Sequence, residues 1–284
     1  MFQVTPPPAG LDRVRFVAAD MDNTLLDGEG KLPDGVFERV VALQELGVTF
    51  AIASGRPLVT LRALFPRLRG EIMLIGDNGG IIANHDEVIY QADLPAADYH
   101  RMVAFAEAQG DVSMICAADA TYFFERDRGY DDVFATFYYE RAYVDDLANV
   151  SPQADKFTVY LPEGDSVEKA RDAYGPEFGE RFSVVSSGSV WVDITPKGMD
   201  KGGAMRHVSE LLDIPVDEMM AFGDTFNDAA MLDTVGFGYM VANATPGMEA
   251  HAKYVAPSNV DHGVLTVLDQ LIEAKRAALG HRDE

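Results

Sequence analysis

The sequence predicts an α/β protein whose parallel sheet carries helices on both faces and whose chain is interrupted by an inserted α+β domain. Two observations support this interpretation. Near both ends of the chain, short continuous apolar runs alternate with helical patterns, which is typical of parallel strands buried on both faces. Between them the strands are short and flank tight turns, which favours antiparallel pairing. A length of 284 residues fits about two domains.

The N-terminal part begins the parallel sheet. Residues 14–19 form a short apolar run with β-branched side chains, which indicates a buried strand. Pro33 and Asp34 are typical of a helix start, and the apolar positions that follow keep helical spacing until Gly47 ends the helix. The alternation continues with a strand, a helix and a strand at residues 48–53, about 57–65 and 72–75.

The pattern changes after about residue 83 and returns near residue 190. Residues 81–83 and 88–90 flank the polar residues 84–87 and predict a hairpin, and the strands from about 92 to 187 look antiparallel. Alternation resumes with strands at 191–194, 219–222 and 239–241 and helices at about 200–212, 227–235 and from 263. We therefore expect a discontinuous core of residues 1–84 and 190–284, and an inserted domain, called the cap below, of residues 85–189. The connections at about 84–94 and 185–189 are expected to act as hinges, with Gly188 supplying backbone freedom.

Composition narrows the expected partners. The chain carries 23 Lys and Arg residues against 46 Asp and Glu, a formal charge of −23. Neither nucleic acid nor an anionic membrane is expected as a main partner, because both bind basic surfaces. No apolar stretch approaches the ~20 residues of a membrane-spanning helix, and the Pro-rich N-terminus is not expected to be a secretory signal. Cys116 is the only cysteine, which excludes an intramolecular disulfide and a multi-cysteine metal site, so a cytoplasmic location is expected.

Polar residues cluster at the ends of the predicted parallel strands, where ligands bind in open α/β sheets. The groups are Asp20-x-Asp22-x-Thr24, Ser54-Gly55-Arg56, Lys201 at the start of a helix, and Gly223-Asp224-x-x-Asn227-Asp228. Each group alone is weak evidence, since a turn or a helix cap can have the same composition. Their joint occurrence in order, each at a strand end or a helix start, favours one functional site.

Four aspartates in this set predict a divalent cation: Asp20, Asp22, Asp224 and Asp228. Two like charges ~4 Å apart repel by roughly 4 kcal/mol at an effective dielectric constant of 20. Mg²⁺ relieves such repulsion in sites made of few carboxylates plus a phosphate. Together with Lys201, the cation would make this acidic protein locally attractive to a phosphate dianion.

The same residue types suit phosphoryl transfer. An ionised carboxylate can attack phosphorus and form an aspartyl-phosphate. A second carboxyl two residues later can protonate the leaving oxygen and then activate water. Ser54, the amide of Gly55 and Asn227 can donate hydrogen bonds to the transferring phosphoryl oxygens.

The full set of motifs resembles the haloacid dehalogenase-like superfamily and, more narrowly, the Cof-like phosphatases. The segments that carry the resemblance are Asp20-x-Asp22-x-Thr24-Leu25-Leu26, Ser54-Gly55-Arg56-Pro57, Asn78-Gly79-Gly80, Lys201-Gly202-x-Ala204-Met205, Gly223-Asp224-x-x-Asn227-Asp228-x-x-Met231 and Asn259-x-Asp261-x-Gly263-Val264. The resemblance covers about residues 14–84 and 190–279 and implies a Rossmann-like core with an inserted cap.

The resemblance also implies a role for each site residue. Asp20 would be the nucleophile and a metal ligand, and Asp22 the general acid/base, with its backbone carbonyl on the metal. The remaining positions would bind phosphate (Ser54 and Lys201), Mg²⁺ (Asp224), and phosphate or metal-bound water (Asn227 and Asp228). Asn23 stands where these phosphatases usually have Gly. Because Asn tolerates positive φ better than most residues, the loop is expected to keep its shape.

These observations favour a Mg²⁺-dependent phosphatase that hydrolyses a small phosphorylated metabolite, either a sugar phosphate or a phosphorylated cofactor. A phosphomutase of the same superfamily would use the same aspartates but return the phosphoryl group to its substrate. A catalytically silent binding protein is disfavoured, because Asp20, Asp22, Lys201 and Asp224 are all present. The chain is expected to be a monomer or a homodimer.

The cap is expected to close over the site and to set selectivity. Its candidate substrate-facing residues are aromatic or basic: Tyr122, Phe123, Phe124, Phe134, Phe137, Tyr138, Tyr139, Arg126, Arg128, Arg141 and Lys156. The alternative is that most of the aromatic residues fill the cap's own core.

Overall fold

The protein contains two β-sheets, one for each of the expected domains. The computed structural model describes residues 2–66, 68, 70–85 and 87–280, so Asp86 in the expected hairpin turn and the last four residues of the expected core lie outside the described residues. The larger sheet has eight strands in the order β14-β13-β12-β1-β2-β3-β4-β5. Their bounds are β1 Phe16–Ala19, β2 Thr49–Ala53, β3 Met73–Gly76, β4 Ile81–Asn84, β5 Glu87–Gln91, β12 Met219–Gly223, β13 Phe237–Val241 and β14 Tyr254–Ala256.

This core sheet is parallel from β14 to β3, and β4 and β5 extend it as an antiparallel hairpin. Side chains alternate along β1, so Val17 and Ala19 pack on one face while Phe16 and Ala18 pack on the other. Helices α1 Val36–Glu45, α2 Leu58–Leu64 and α9 Gly263–Gly280 cover the first face. Helices α7 Lys201–Leu212 and α8 Ala229–Thr234 cover the second. The expected layering of helices on both faces is confirmed.

The cap is a six-stranded sheet in the order β10-β11-β9-β6-β7-β8. Its strands are β6 Val112–Ala117, β7 Thr121–Phe124, β8 Arg141–Val144, β9 Ala154–Tyr160, β10 Phe182–Ser186 and β11 Trp191–Pro196, and its helices are α3 Ala96–Gln109, α4 Asp131–Phe137, α5 Ser166–Lys169 and α6 Gly175–Phe178. Most neighbouring strands are antiparallel as expected, but β7 and β8 pair in parallel, because a long connection that contains α4 joins them.

Strand β11 corrects two sequence-based expectations. Residues 191–194 were expected in the core, yet β11 pairs with β9 and β10 in the cap sheet, and β5 belongs to the core sheet. By sheet membership the cap therefore begins after residue 91 and ends at residue 196. A continuous apolar run reads the same whichever sheet buries it, so periodicity does not distinguish the two placements.

The expected hinge at 185–189 is also wrong. Those residues form the end of β10 and the turn that leads into β11, so they lie within the cap. The chain crosses between core and cap at residues 92–95 and 197–200, the stretches that separate the two sheets and their helices. In the described part of the chain, no helix combines the length and the apolar character needed to cross a membrane.

Candidate active site

The site lies at the carboxyl edge of the core sheet, as the strand ends predict. Asp20 directly follows β1, whose last residue, Ala19, pairs with Ile52 of β2 and Phe222 of β12. This register places Asp20 beside the segments that carry Ser54 and Asp224. The site residues from distant parts of the chain therefore meet because the central strand has one of these segments on each side.

Lys201 occupies the centre of the buried charges. Its Nζ lies 2.5 Å from Asp20 Oδ1 and 2.6 Å from Asp228 Oδ1, and its side chain is 0% exposed. Asp228 also accepts hydrogen bonds from the backbone N–H groups of Asp224 (2.9 Å) and Thr225 (3.3 Å) through its other oxygen. A Cβ at Gly223 would lie 2.4 Å from Asp228 Cβ, so only glycine lets Asp228 reach this position.

Three of the four expected acidic residues form one cluster. A carboxylate oxygen from each of Asp20, Asp224 and Asp228 lies within 4.8 Å of the others, and all three residues are buried. Lys201 supplies one positive charge to these three carboxyl groups. The donor set therefore suits a hard divalent cation that prefers oxygen ligands.

Burial and repulsion by neighbouring carboxylates raise the pKa values of two of these carboxyl groups. Burial and the neighbouring Asp228 raise the pKa of Asp20 to about 8, against the opposing effect of Lys201. Burial, then Asp228, raises the pKa of Asp224 to about 6. Burial disfavours the charged form of Lys201, but Asp20 and Asp228 outweigh it, so its pKa is raised. Raised carboxyl pKa values mean that the site lacks positive charge, which a bound cation would supply.

The side chain of Asp22 lies apart from this cluster and faces Arg56. Arg56 Nε and Nη2 each donate to a different oxygen of Asp22, both at 3.2 Å. The side chain of Asp22 is half exposed, whereas that of Asp20 is 10% exposed. The two motif aspartates thus occupy different environments, as expected for residues with different roles. Arg56 belongs to the Ser54-Gly55-Arg56 motif, but the sequence alone assigns it no role.

Three of the groups expected to bind phosphate, Ser54, Gly55 and Asn227, lie around Asn78. Ser54 is buried, and its Oγ accepts a hydrogen bond from Arg56 N at 3.2 Å. Asn78 N donates to Ser54 O at 2.9 Å, and Asn227 Nδ2 donates to Asn78 Oδ1 at 3.2 Å. A Cβ at Gly55 would lie 3.1 Å from Asn78 Oδ1. Asn78 therefore joins the segment of Ser54 and Gly55 to Asn227.

The loop after Asp20 keeps its shape with Asn23 in the position that usually holds glycine. Asn23 has φ +60°, as expected, and its carbonyl accepts from Asn243 Nδ2 at 2.9 Å. Thr24 Oγ1 donates to Asp224 Oδ1 at 3.1 Å. Asn259 Nδ2 donates to the Leu26 carbonyl at 3.0 Å, which gives the late Asn259 motif a supporting contact with this loop.

A cavity of about 930 Å³ separates this core edge from the cap. Its floor includes Asp20, Asp22, Ser54, Gly55, Asp224 and Asn227, and its cap wall includes Phe137, Tyr138, Lys156, Ser183, Val185, Ser186, Ser187, Trp191 and Asp193. The large volume leaves room for a small phosphorylated molecule above the carboxylates.

The cap residues that were expected to face the substrate divide into those that line the cavity and those that do not. Phe137, Tyr138 and Lys156 line the cavity. Phe123, Phe124 and Phe134 fill the interior of the cap. Four more residues bond elsewhere in the cap: Tyr122 with Asp119, Arg126 with Glu107, Arg128 with Glu125 and Arg141 with Asp131. Tyr139 is 62% exposed and is not among the cavity residues.

Sequence reasoning missed the cap wall made by β10, β11 and their turn. Asp193 accepts hydrogen bonds there from Thr158 Oγ1 and Ser187 Oγ, both at 2.7 Å. The expected hinge at 185–189 contains three hydroxyl residues, Ser186, Ser187 and Ser189, of which Ser186 and Ser187 line this wall. The signal that could have found it is Asp193, a polar residue between the apolar Val192 and Ile194. If β11 is assigned to the cap sheet, this alternation predicts that one face of the strand is polar.

A carboxylate cluster with one buried lysine, at the carboxyl edge of a parallel sheet and beneath a cap, defines a hydrolase site built for phosphoryl transfer. The family model for haloacid dehalogenase-like hydrolases matches residues 17–268. The chain belongs to this family, and within it to the Cof-like phosphatases, which are phosphoric monoester hydrolases.

Named relatives agree with this assignment. The chain is 27% identical over 266 residues to the Escherichia coli (strain K12) 5-amino-6-(5-phospho-D-ribitylamino)uracil phosphatase YbjI, covering 92% of this chain and 97% of the relative. It is 25% identical over 244 residues to the HMP-PP phosphatase of Escherichia fergusonii, covering 85% and 89%. The crystal structure of SMU.1108c from Streptococcus mutans UA159 aligns with a TM-score of 0.81 and 27% identity over 92% of this chain and 99% of that one.

Proposed function

We propose that this protein is a Mg²⁺-dependent phosphatase that forms an aspartyl-phosphate on Asp20 and uses Asp22 as general acid and base. One observation carries the proposal: Asp20, Asp224 and Asp228 form one buried cluster in which Lys201 bonds Asp20 and Asp228, and Asp20, Asp224 and Ser54 line the cavity. A structural ion pair alone would not require a third carboxylate in a buried cluster that has one lysine.

The chemistry begins with Asp20. One of its carboxylate oxygens attacks phosphorus, the bond from phosphorus to the leaving oxygen breaks, and the electron pair leaves with that oxygen. Asp22 donates a proton to the leaving oxygen, so the product departs as an alcohol. Water then attacks the phosphorus of the aspartyl-phosphate while Asp22 takes a proton from it, and inorganic phosphate leaves as Asp20 is restored.

Lys201, Ser54, Gly55 and Asn227 serve both steps in this proposal. Lys201 supplies a fixed positive charge beside Asp20, where negative charge accumulates on the phosphoryl oxygens. Ser54, the Gly55 amide and Asn227 would donate hydrogen bonds that orient the same oxygens. Asp22 would have to leave Arg56 in order to reach the leaving oxygen, because Arg56 holds both of its oxygens here.

Asp20, Asp224 and Asp228 would hold the metal, with the backbone carbonyl of Asp22 as a further ligand. When bound, Mg²⁺ would neutralise the clustered carboxylates and stabilise the charge of the phosphoryl group. Thr24 and the N–H groups of Asp224 and Thr225 keep the ligand carboxylates in place, and such supporting contacts typically affect metal affinity 10–100-fold.

The substrate we propose is a small phosphomonoester, either a sugar phosphate or a phosphorylated cofactor. The cavity of about 930 Å³ limits the size of the molecule. The 5-amino-6-(5-phospho-D-ribitylamino)uracil phosphatase and HMP-PP phosphatase relatives are named for small phosphorylated molecules, which supports this class.

A panel of phosphorylated metabolites tests the proposal. The purified chain is incubated with sugar phosphates, phosphorylated cofactors and para-nitrophenyl phosphate, with Mg²⁺ or with excess chelator, and free phosphate and isomerised substrate are both measured. We expect Mg²⁺-dependent release of free phosphate. Isomerised substrate without free phosphate would indicate a phosphomutase, and full turnover in excess chelator would contradict the metal requirement.

A further inference from the structure

Lys156 is a buried cap residue whose partner lies in the core. Its side chain is 4% exposed, and its Nζ lies 2.6 Å from Oδ1 of Asp77, whose side chain is 2% exposed. Asp77 directly follows core strand β3, whereas Lys156 belongs to cap strand β9. Lysine is almost never buried this fully without a partner, so this ion pair is a built feature of the boundary between the domains.

The acidic groups near Lys156 differ in their capacity to balance its charge. Asp193 already accepts hydrogen bonds from Thr158 and Ser187. Neither carboxylate oxygen of Asp155 has a hydrogen-bond partner among the described residues, and burial followed by the charge of Asp77 raises the Asp155 pKa well above its usual range. Among the described residues, the carboxylate within ion-pair distance of Lys156 Nζ is that of Asp77, which makes Asp77 its close counter-ion.

Asp77 belongs to a turn with an unusual backbone. Asp77 and Asn78 have φ values of +50° and +54°, a region that residues other than glycine rarely occupy. Two such residues in succession persist only where surrounding contacts hold them. Lys156 supplies the charged contact to the first residue, and the Asp77 N–H donates to the Arg56 carbonyl at 3.0 Å.

This turn contacts three of the groups that are expected to bind phosphate, namely Ser54, Gly55 and Asn227. Asn78 N donates to Ser54 O, and its side chain accepts from Asn227 and lies against Gly55. Lys156 Nζ itself lies 3.5 Å from the Gly55 carbonyl. A change at Lys156 therefore reaches the phosphate-binding groups through its ion pair with Asp77 and through its own contact with the Gly55 carbonyl.

We propose that Lys156 is a positioning residue for phosphate binding: from the cap, its ammonium group pairs with Asp77 and thereby holds the turn of Asp77 and Asn78, together with Ser54, Gly55 and Asn227, in the arrangement that receives the phosphoryl group. This proposal rests on the proposed phosphatase function. It makes the cap a contributor to the part of the site that every substrate shares, beyond any contact with the leaving group.

Lys156→Met tests the proposal with para-nitrophenyl phosphate as substrate and inorganic phosphate as competitive inhibitor. We expect kcat/KM to fall about 10- to 100-fold, by a similar factor for every substrate that the wild type hydrolyses. The inhibition constant of inorganic phosphate should rise about tenfold, while Mg²⁺ affinity stays unchanged because the carboxylate cluster is not touched. The matched control is Lys169→Met, which removes another cap ion pair, with Asp111 at 2.8 Å, and should leave these values unchanged.

Asp77→Asn and the double variant complete the test. Asp77→Asn removes the charge from the other side and keeps the proposal testable if Lys156→Met fails to fold, which thermal unfolding would reveal. Because the ion pair couples Lys156 to Asp77, the double variant should lose less phosphate affinity than the two single losses added together. Unchanged phosphate affinity in a folded Lys156→Met or Asp77→Asn protein would overturn the proposal, as would a loss confined to substrates with polar leaving groups or an equal loss in Lys169→Met. If the wild type hydrolyses no phosphomonoester, the proposed function itself fails instead.

Discussion

The floor and the cap wall of the cavity differ in how deeply their side chains are buried and in how firmly hydrogen bonds hold them. On the floor, the cavity-lining Asp20 is 7% exposed and accepts a hydrogen bond from Lys201, which also donates to Asp228, and neither Lys201 nor Asp228 is exposed. On the wall, Phe137 and Val185 are 38% and 51% exposed, and the hydroxyl groups of Ser183, Ser186 and Ser187 lie along β10 and on the turn that follows it. Groups that are fixed and desolvated suit a phosphoryl group that every substrate shares, whereas more exposed side chains suit the part that varies. Lys156 is a residue of the cap wall, but it is as deeply buried as the charged residues of the floor.

The largest expected effect is on the floor. Asp20→Asn removes the nucleophile while keeping the size of the side chain, so turnover should fall on the order of 10⁴-fold or more, and no phosphoenzyme should form. Rapid quenching with a ³²P-labelled substrate measures both. Glu45→Gln, which neutralises an exposed carboxylate at the end of α1, is the control. Near-normal turnover of Asp20→Asn would contradict covalent catalysis.

A second effect on the floor depends on pH. The raised pKa values, about 8 for Asp20 and about 6 for Asp224, mean that these groups carry protons below those pH values in the metal-free site. Mg²⁺ binds the ionised carboxylates and displaces the protons. Mg²⁺ affinity should therefore rise with pH between 6 and 8, by up to about tenfold per unit for each proton displaced. Calorimetric titration at pH 6, 7 and 8 measures it, and Asp224→Asn should weaken binding throughout. A flat profile over this range would contradict the assignment.

The smallest expected effect is on the wall, where it should change the order of substrates. Phe137→Ala removes an aromatic ring from the cavity lining and should change the ratio of kcat/KM between two preferred substrates by roughly tenfold. Activity on para-nitrophenyl phosphate should change less. Tyr122→Phe is the matched control, because Tyr122 bonds Asp119 and does not line the cavity. An unchanged substrate order in Phe137→Ala would place selectivity elsewhere.

The contrast between floor and wall also separates what the sequence predicts from what it does not. The acidic motifs follow buried strands, and the carboxyl ends of parallel strands meet at one edge, so the gathering of Asp20, Ser54 and Asp224 could be expected. The positive φ of Asn23 was likewise predictable from residue type. The roles of these residues in catalysis stay predictions.

Partners that join distant segments could not be predicted. The pairing of Asp22 with Arg56 and the insertion of Lys201 between Asp20 and Asp228 depend on side-chain directions that spacing does not encode. The cap wall was missed for a related reason: β11 was interpreted as a core strand, because an apolar run fits either sheet.

The central place of β1 has a consequence for how the chain is made. One edge of β1 pairs with β2, which is synthesised soon after it, but the other edge pairs with β12, which leaves the ribosome only after the entire cap. Until then a nascent chain carries β1 with one unpaired edge, and such edges readily pair with other chains. Asp20 likewise lacks its counter-ion until Lys201 has been synthesised. The pairing of β12 with β1 is therefore a late event, after which β13 and β14 extend the sheet, so the core cannot be finished before the cap exists.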